Sequence, residues 1–269
     1  MDQVFWGKLA LSFLVGSAWV ALSTAAAERH GSTIGGLIGG LPSTVFVSLL
    51  FIGITQSPQV AAETTTLMPF TQGVNGVFVL VYLFIAGHGL VPALVGAFAA
   101  WCLMAGIVAT AVSHAFSVSI AGWLLLSTAC YVAIQKYMRI PPRPQLLYRC
   151  TWPQLFLRAV FGGTVIAIAV FTSKLIGPVY GGILAIFPAT FLSTLAITHR
   201  AGGAEFSRSV GKALVTSGMV NATLYTIAVR YLYPLCGLAL GTGLALGFSA
   251  GTAYVTYRFM QTQSAVQSL

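Results

Sequence analysis

Gly35-Gly36-Leu37-Ile38-Gly39-Gly40-Leu41-Pro42-Ser43-Thr44 has a second copy in this chain, Gly181-Gly182-Ile183-Leu184-Ala185-Ile186-Phe187-Pro188-Ala189-Thr190, 146 positions later. Both copies sit inside long apolar segments. Each sets paired glycines about two helical turns ahead of a proline, with a threonine two places after it. Proline removes a backbone donor and restricts the residue before it, so each copy reads as a helix that breaks or kinks part-way. In a lipid environment the carbonyl left without its donor must find a partner or line a cavity.

Working outward at the same offset, Trp6 aligns with Trp152, Leu9 with Leu155, Leu11 with Leu157, Gly16 with Gly162 and Ala21 with Ala167. Gly31 aligns with Gly177, Leu49 with Leu195, and Val74-Asn75 with Val220-Asn221. Leucine and alanine coincide often between apolar segments. Tryptophan, proline and a mid-span asparagine held in one register do not, and they point to an internal duplication.

Of the 269 residues, 57% are apolar and 6% charged, and the mean hydropathy is +0.90. A soluble domain carries about 25% charged residues. The apolar runs reach the ~20 residues that a helix needs to cross the hydrocarbon layer. They are continuous, unlike the ~10-residue alternating segments of a membrane β-barrel. The formal net charge of +9 is not a nucleic-acid footprint, because the basic residues are scattered over short loops. Such loops orient membrane helices. The first segment lacks a strongly basic leading region and reads as a retained span, not a cleaved signal. Cys102, Cys130, Cys150 and Cys236 have neither zinc-ligand nor CxxC spacing and read as small buried apolar residues.

Nine spans can be drawn, starting near Val4, Ile34, Thr66, Leu90, Phe116, Leu155, Tyr180, Ser209 and Pro234. After the fifth comes the basic, proline-rich Lys136-Tyr137-Met138-Arg139-Ile140-Pro141-Pro142-Arg143-Pro144. The expected fold is an all-α polytopic membrane protein with two inverted-topology four-helix repeats joined by a linker helix. Residues 1–113 form the first repeat, 114–150 the linker helix and loop, 151–260 the second repeat, and 261–269 a polar tail. The odd linker span makes the second repeat enter the membrane from the opposite side, a plan widespread among secondary transporters.

Charge counting gives an independent orientation. With the loop after the fifth span in the cytoplasm, Arg29, Lys136, Arg139, Arg143, Arg149, Arg158, Arg200, Arg208, Lys212 and Arg258 fall at that side. Only Lys8, Lys174 and Arg230 fall at the other. This positive-inside asymmetry places the N-terminus outside and the C-terminus inside a prokaryotic cell membrane. Anionic lipid headgroups are then the expected partners of the basic loops. No nucleic acid is expected, and an oligomer is compatible with the composition.

The candidate substrate-binding residues are Pro42, Ser43, Thr44, Asn75, Pro188, Thr190 and Asn221. Gly35, Gly36, Gly39, Gly40, Gly181 and Gly182 are candidates for hinges or for close helix packing of the GxxxG kind. Asn75 and Asn221 are either a polar wall or interhelical hydrogen-bonding groups, with equal weight. The carboxylates are only Asp2, Glu28, Glu63 and Glu205, none deep in a span. Their scarcity argues against proton-coupled antiport and against acid–base enzymology, and no cofactor or metal is expected. Glu63 reads as capping the start of the third span. His30, His88, His114 and His199 read as interfacial. Trp6, Trp101, Trp123, Trp152, Tyr231 and Tyr233 read as interfacial anchors, and Trp19 as a packing residue.

At the glycine–proline stretch, through Gly36-Leu37-Ile38…Leu41-Pro42-Ser43-Thr44 and Gly182-Ile183…Phe187-Pro188-Ala189-Thr190, the chain resembles the small GlpM-like integral membrane proteins and longer proteins that look like two such units fused. That resemblance implies four spans per unit and a link to polysaccharide production, with little about substrate. The plan is also similar to that of the small multidrug exporters, but those use a carboxylate in the first span, and none lies between Val4 and Ala26. The expected function is a secondary transporter or facilitator with a small-molecule substrate between the two proline-bearing helices. The alternatives are a membrane scaffold or accessory subunit for lipid-linked polysaccharide assembly, a lipid transporter, or a channel.

Overall fold

The computed structural model describes residues 2–29, 42–138, 140 and 151–267, and all of their side chains except those of 27–29, 216, 217 and 256–267. Among the described residues the fold is all-helical, without a strand. Seven segments are long and apolar enough to cross a membrane, and Ser43–Thr55 is a shorter apolar helix of 13 residues. Their outward faces carry exposed large apolar side chains such as Phe84, Val91, Leu103, Leu235 and Leu240. Contiguous apolar exposure on this scale suits lipid and not water. The protein is a polytopic helical membrane protein.

Helix α1 is Gln3–Arg29 and α2 is Ser43–Thr55. Helix α3 runs over Pro58–His88, α4 over Leu90–Ala111 and α5 over Phe116–Met138. Helix α6 is Trp152–Leu175 and α7 is the short Pro178–Ala185. The remaining chain is helical over Ala189–Ala213, through a π-turn at Leu214–Gly218, and over Met219–Gln267. It reverses twice, at Gly203 (φ 75°) and Gly237 (φ 74°), left-handed positions that favour glycine.

Hydrogen bonds identify both places as hairpins. Across Gly203, Ser207 Oγ donates to the Leu195 carbonyl at 3.0 Å, and Thr198 Oγ1 to Ser207 Oγ at 3.1 Å. Across Gly237, Thr242 Oγ1 donates to Tyr233 Oη at 2.9 Å, and Ser249 Oγ to Asn221 Oδ1 at 3.0 Å. In an unbroken helix residues 221 and 249 would stand roughly 40 Å apart at 1.5 Å per residue. The last part of the chain therefore comprises α8 (189–202), α9 (204–236) and α10 (238–267).

Several expected boundaries move. The third span begins at Pro58, about two turns earlier than Thr66, and its start is capped by Ser57, whose Oγ accepts the Val60 N–H at 3.2 Å. Glu63 lies further along, exposed, and does not perform that role. The expected ninth span starts after Gly237, not at Pro234, because the helical reversal needs the glycine and not the proline. Cys130 is buried as expected, whereas Cys102 and Cys236 are exposed; Cys150 lies outside the described residues.

Two crossings hold the molecule together. In the first, α1 packs on α6. A Cβ added to Gly16 would lie 2.6 Å from Ile166 Cδ1, and one added to Gly162 would lie 2.9 Å from Val20 Cγ2. Numbering rises along one helix as it falls along the other, so the pair is antiparallel. Gly16 and Gly162, and Val20 and Ile166, are related by the 146-residue offset, and each glycine takes the other helix's branched side chain. At the centre Gly163 has the Phe13 carbonyl and Ser17 against it, so the backbones approach as only small residues allow.

In the second crossing α3 lies antiparallel to α9. Gly76 receives Met219, and Gly211 receives Leu83 and Val79. Arg208 Nε donates to the Leu83 carbonyl at 2.9 Å near one end. Near the other end Arg230 donates to Thr66 Oγ1 at 3.2 Å and lies 4.3 Å from the centre of the Phe116 ring.

Gly163→Ala should therefore destabilise the fold by about 1–3 kcal/mol through overpacking against backbone, despite alanine's better helix propensity. Gly247→Ala, with open space where the methyl would go, should be neutral or slightly stabilising. Thermal unfolding of the two variants in one detergent checks this.

Candidate functional site

Each of the two prolines stands directly before a helix start, and Pro188 also follows the end of α7. Pro188 has φ −77° and ψ 43°, and Pro42 φ −75° and ψ 65°; neither continues a helix. In each case the following helix restarts on the proline's own carbonyl, which accepts Leu192 N at 2.8 Å in one copy and Phe46 N at 2.8 Å in the other. Neither restart has a side-chain cap. The backbone N–H groups of Ser43, Thr44 and Val45, and of Thr190 and Phe191, precede the first helical bond of α2 and α8.

These two helix starts line one cavity of about 60 Å³. Pro42, Ser43, Thr44 and Val45 contribute from one side; Ile186, Phe187, Pro188, Thr190 and Phe191 contribute from the other. Helix α3 adds Gln72 and Asn75, and the α9 region adds Gly218 and Ala222. The volume admits a few waters or a small solute. No lining residue carries a formal charge. Phe187 is held in place by edge-on contacts to Trp101, with ring centres 5.0 Å apart, and to Phe161 and Phe98.

The carbonyl that Pro188 deprives of its usual donor is that of Leu184, and it is closed locally by Phe187 N at 3.0 Å. The carbonyl that looks across the molecule is that of Ile186, which accepts Asn75 Nδ2 at 2.9 Å. Asn75 Nδ2 also donates to Gln72 Oε1 at 3.1 Å, and Asn75 Oδ1 accepts Trp101 Nε1 at 2.8 Å. An indole nitrogen can only donate. It therefore fixes which end of Asn75 is oxygen, and Asn75 in turn fixes Gln72 with Oε1 toward Asn75, leaving Nε2 as the free end of the amide. Gln72 is 3% exposed and Asn75 3%, so each orientation is set by buried partners and not by solvent.

Of the sequence-predicted residues, Pro42, Ser43, Thr44, Asn75, Pro188 and Thr190 come together around this cavity. Asn221 does not line it: its Oδ1 accepts Ser249 and Thr252 of α10, at 3.0 and 2.9 Å. Both asparagines make interhelical hydrogen bonds, and Asn75 also lines the cavity. Gly181 packs on Ala169 and Ser173 of α6, and Gly182 on the Thr64 carbonyl of α3, where a side chain would collide. Gly35, Gly36, Gly39 and Gly40 lie outside the described residues.

Sequence reasoning missed Gln72, Trp101, Phe187 and Phe191. Trp101 is no interfacial anchor: it stands midway along α4, 4% exposed, because its N–H is needed by Asn75. Gln72 carried a usable signal, a second carboxamide one turn before Asn75 within an apolar run. Tyr233 also departs from the interfacial expectation, and His199 has a partner that the expectation did not include. Tyr233 is fully buried and accepts Thr242. His199 Nδ1 lies 2.8 Å from Tyr82 Oη, which also meets Ser207 Oγ at 2.7 Å, joining α3, α8 and α9.

Residues 155–261 match the model of a family described as "Protein of unknown function (DUF3147)". No curated protein and no solved structure matches the chain.

Trp101→Phe keeps the ring contact with Phe187 and removes the donor to a buried acceptor. The expected cost is about 1–3 kcal/mol, read as a lower unfolding temperature, with Trp123→Phe as the comparison: Trp123 Nε1 has no partner to lose.

Proposed function

We propose that this protein is a secondary transporter or facilitator whose solute passes through the cavity between the two proline breaks. The observation that carries the proposal is the convergence of the Pro-x-Thr ends of the two copies on one cavity with uncharged polar groups in its wall, inside an apolar helical protein. Broken helices are tolerated in membranes where they line such a space, and paired broken helices from two repeats form the substrate site in many transporter folds.

In this proposal the chain is two inverted four-helix repeats, 1–113 and 151–260, around a linker helix. The antiparallel α1–α6 and α3–α9 crossings, each between helices related by the 146-residue offset, support it. So does the extent of the family match, which begins and ends close to the bounds of the second repeat. Arg208 and Arg230, expected on opposite sides of the membrane, grip opposite ends of α3. The two repeats then rock about the axis through these crossings, opening the cavity to each side in turn.

The close packing of Gly181 and Gly182 would serve a scaffold equally well, so access to the cavity decides between the two. With Cys102, Cys130, Cys150 and Cys236 replaced by alanine, single cysteines at 44 and 190 should react with a water-soluble maleimide, and one at 221 should not. Silence at both 44 and 190 would mark a packed seam and a scaffold.

A further inference from the structure

We infer that the cavity between the two proline breaks binds a small monovalent anion. The inference rests on the cavity proposed above as the transport site and names the class of its solute.

Among the described residues, four backbone carbonyls near the two prolines each already accept one hydrogen bond. Pro42 O accepts Phe46 N, Pro188 O accepts Leu192 N, Phe187 O accepts Ala189 N, and Ile186 O accepts Asn75 Nδ2. The side-chain oxygens of the two carboxamides each accept one as well: Gln72 Oε1 from Asn75, and Asn75 Oδ1 from Trp101. Among the described lining residues a metal cation or ammonium group would find no carboxylate.

The donors are the reverse. Gln72 lines the cavity and is 97% buried, and its Nε2 has no hydrogen-bond partner among the described residues. Thr44, 92% buried, lines the same space with its hydroxyl likewise unpaired. The uncapped starts of α2 and α8 add the N–H groups of Ser43, Thr44, Val45, Thr190 and Phe191. A sugar or polyol brings donors as well as acceptors, and among the described side chains the hydroxyls of Ser43, Thr44 and Thr190 are what remains to accept from it. An anion brings acceptors only.

Charge points the same way and sets the valence. Each helix N-terminus is equivalent to about half a positive charge. Two of them at one cavity offset about one negative charge, in a place where no lining residue supplies another. The volume of about 60 Å³ suits a halide, nitrate or formate and excludes a bulky organic anion such as gluconate.

The test is isothermal titration of the purified full chain with sodium bromide and sodium nitrate, at constant ionic strength balanced with sodium gluconate. One saturable site per chain is expected. Gln72→Glu keeps the side-chain shape and replaces the donor by a carboxylate, and should weaken binding about tenfold or more. Thr44→Val should weaken it several-fold, and serves if Gln72→Glu does not fold. Heats no different from gluconate, or an affinity unmoved in folded variants at both positions, would overturn the inference. Vesicle flux separates this from the transport proposal. Anion binding without flux keeps the anion site and removes the transporter. Flux of a neutral solute without anion binding does the reverse.

Discussion

The hydrogen bond from Asn75 to the Ile186 carbonyl is the constraint on which the centre of this molecule depends. A helix broken inside an apolar protein exposes backbone groups that water cannot reach, and each unmet group costs a few kcal/mol. The break before Pro188 is tolerable because α3 brings a carboxamide to it. That carboxamide is itself held by Trp101 of α4 and bonded to Gln72. One indole N–H thus sets the direction of a chain of bonds from α4 through α3 to the connection between α7 and α8.

The two halves use the same parts differently. Asn75 meets a tryptophan from α4, while Asn221 meets a serine and a threonine from α10. At the 146-residue offset Gln72 corresponds to Gly218, which also lines the cavity but offers no side chain. The cavity is therefore built from two proline-led helix starts, with its carboxamide side chains both on α3. In the proposed duplicated transporter, such asymmetry would hold a solute nearer one half.

Much of the architecture was legible in the sequence because it rests on local rules. Apolar run length marked the helices, and proline marked both breaks. The recurrence of Pro and Thr at one offset, with Asn75, singled out residues that meet at the cavity. The rest depended on partners distant in sequence. Nothing local distinguishes Trp101, buried and bonded to Asn75, from the exposed Trp6 or Trp152. Nothing local separates Asn75, which faces the cavity, from Asn221, which faces α10. The reversals at Gly203 and Gly237 were blurred because helical residues flank both, and only a left-handed glycine marks the turn. His199 was placed at a span end, and only the fold brings Tyr82 to it.

The central claim is that solute crosses the membrane through the space between the proline breaks. Tracer efflux from vesicles holding the purified full chain tests it most directly, with nitrate and halides as solutes and gluconate as the excluded comparison. The account predicts saturable efflux of the small anions above that of protein-free vesicles, and none for gluconate. Efflux equal to that of protein-free vesicles for every solute tried, from chains that remain folded and monodisperse, would contradict it.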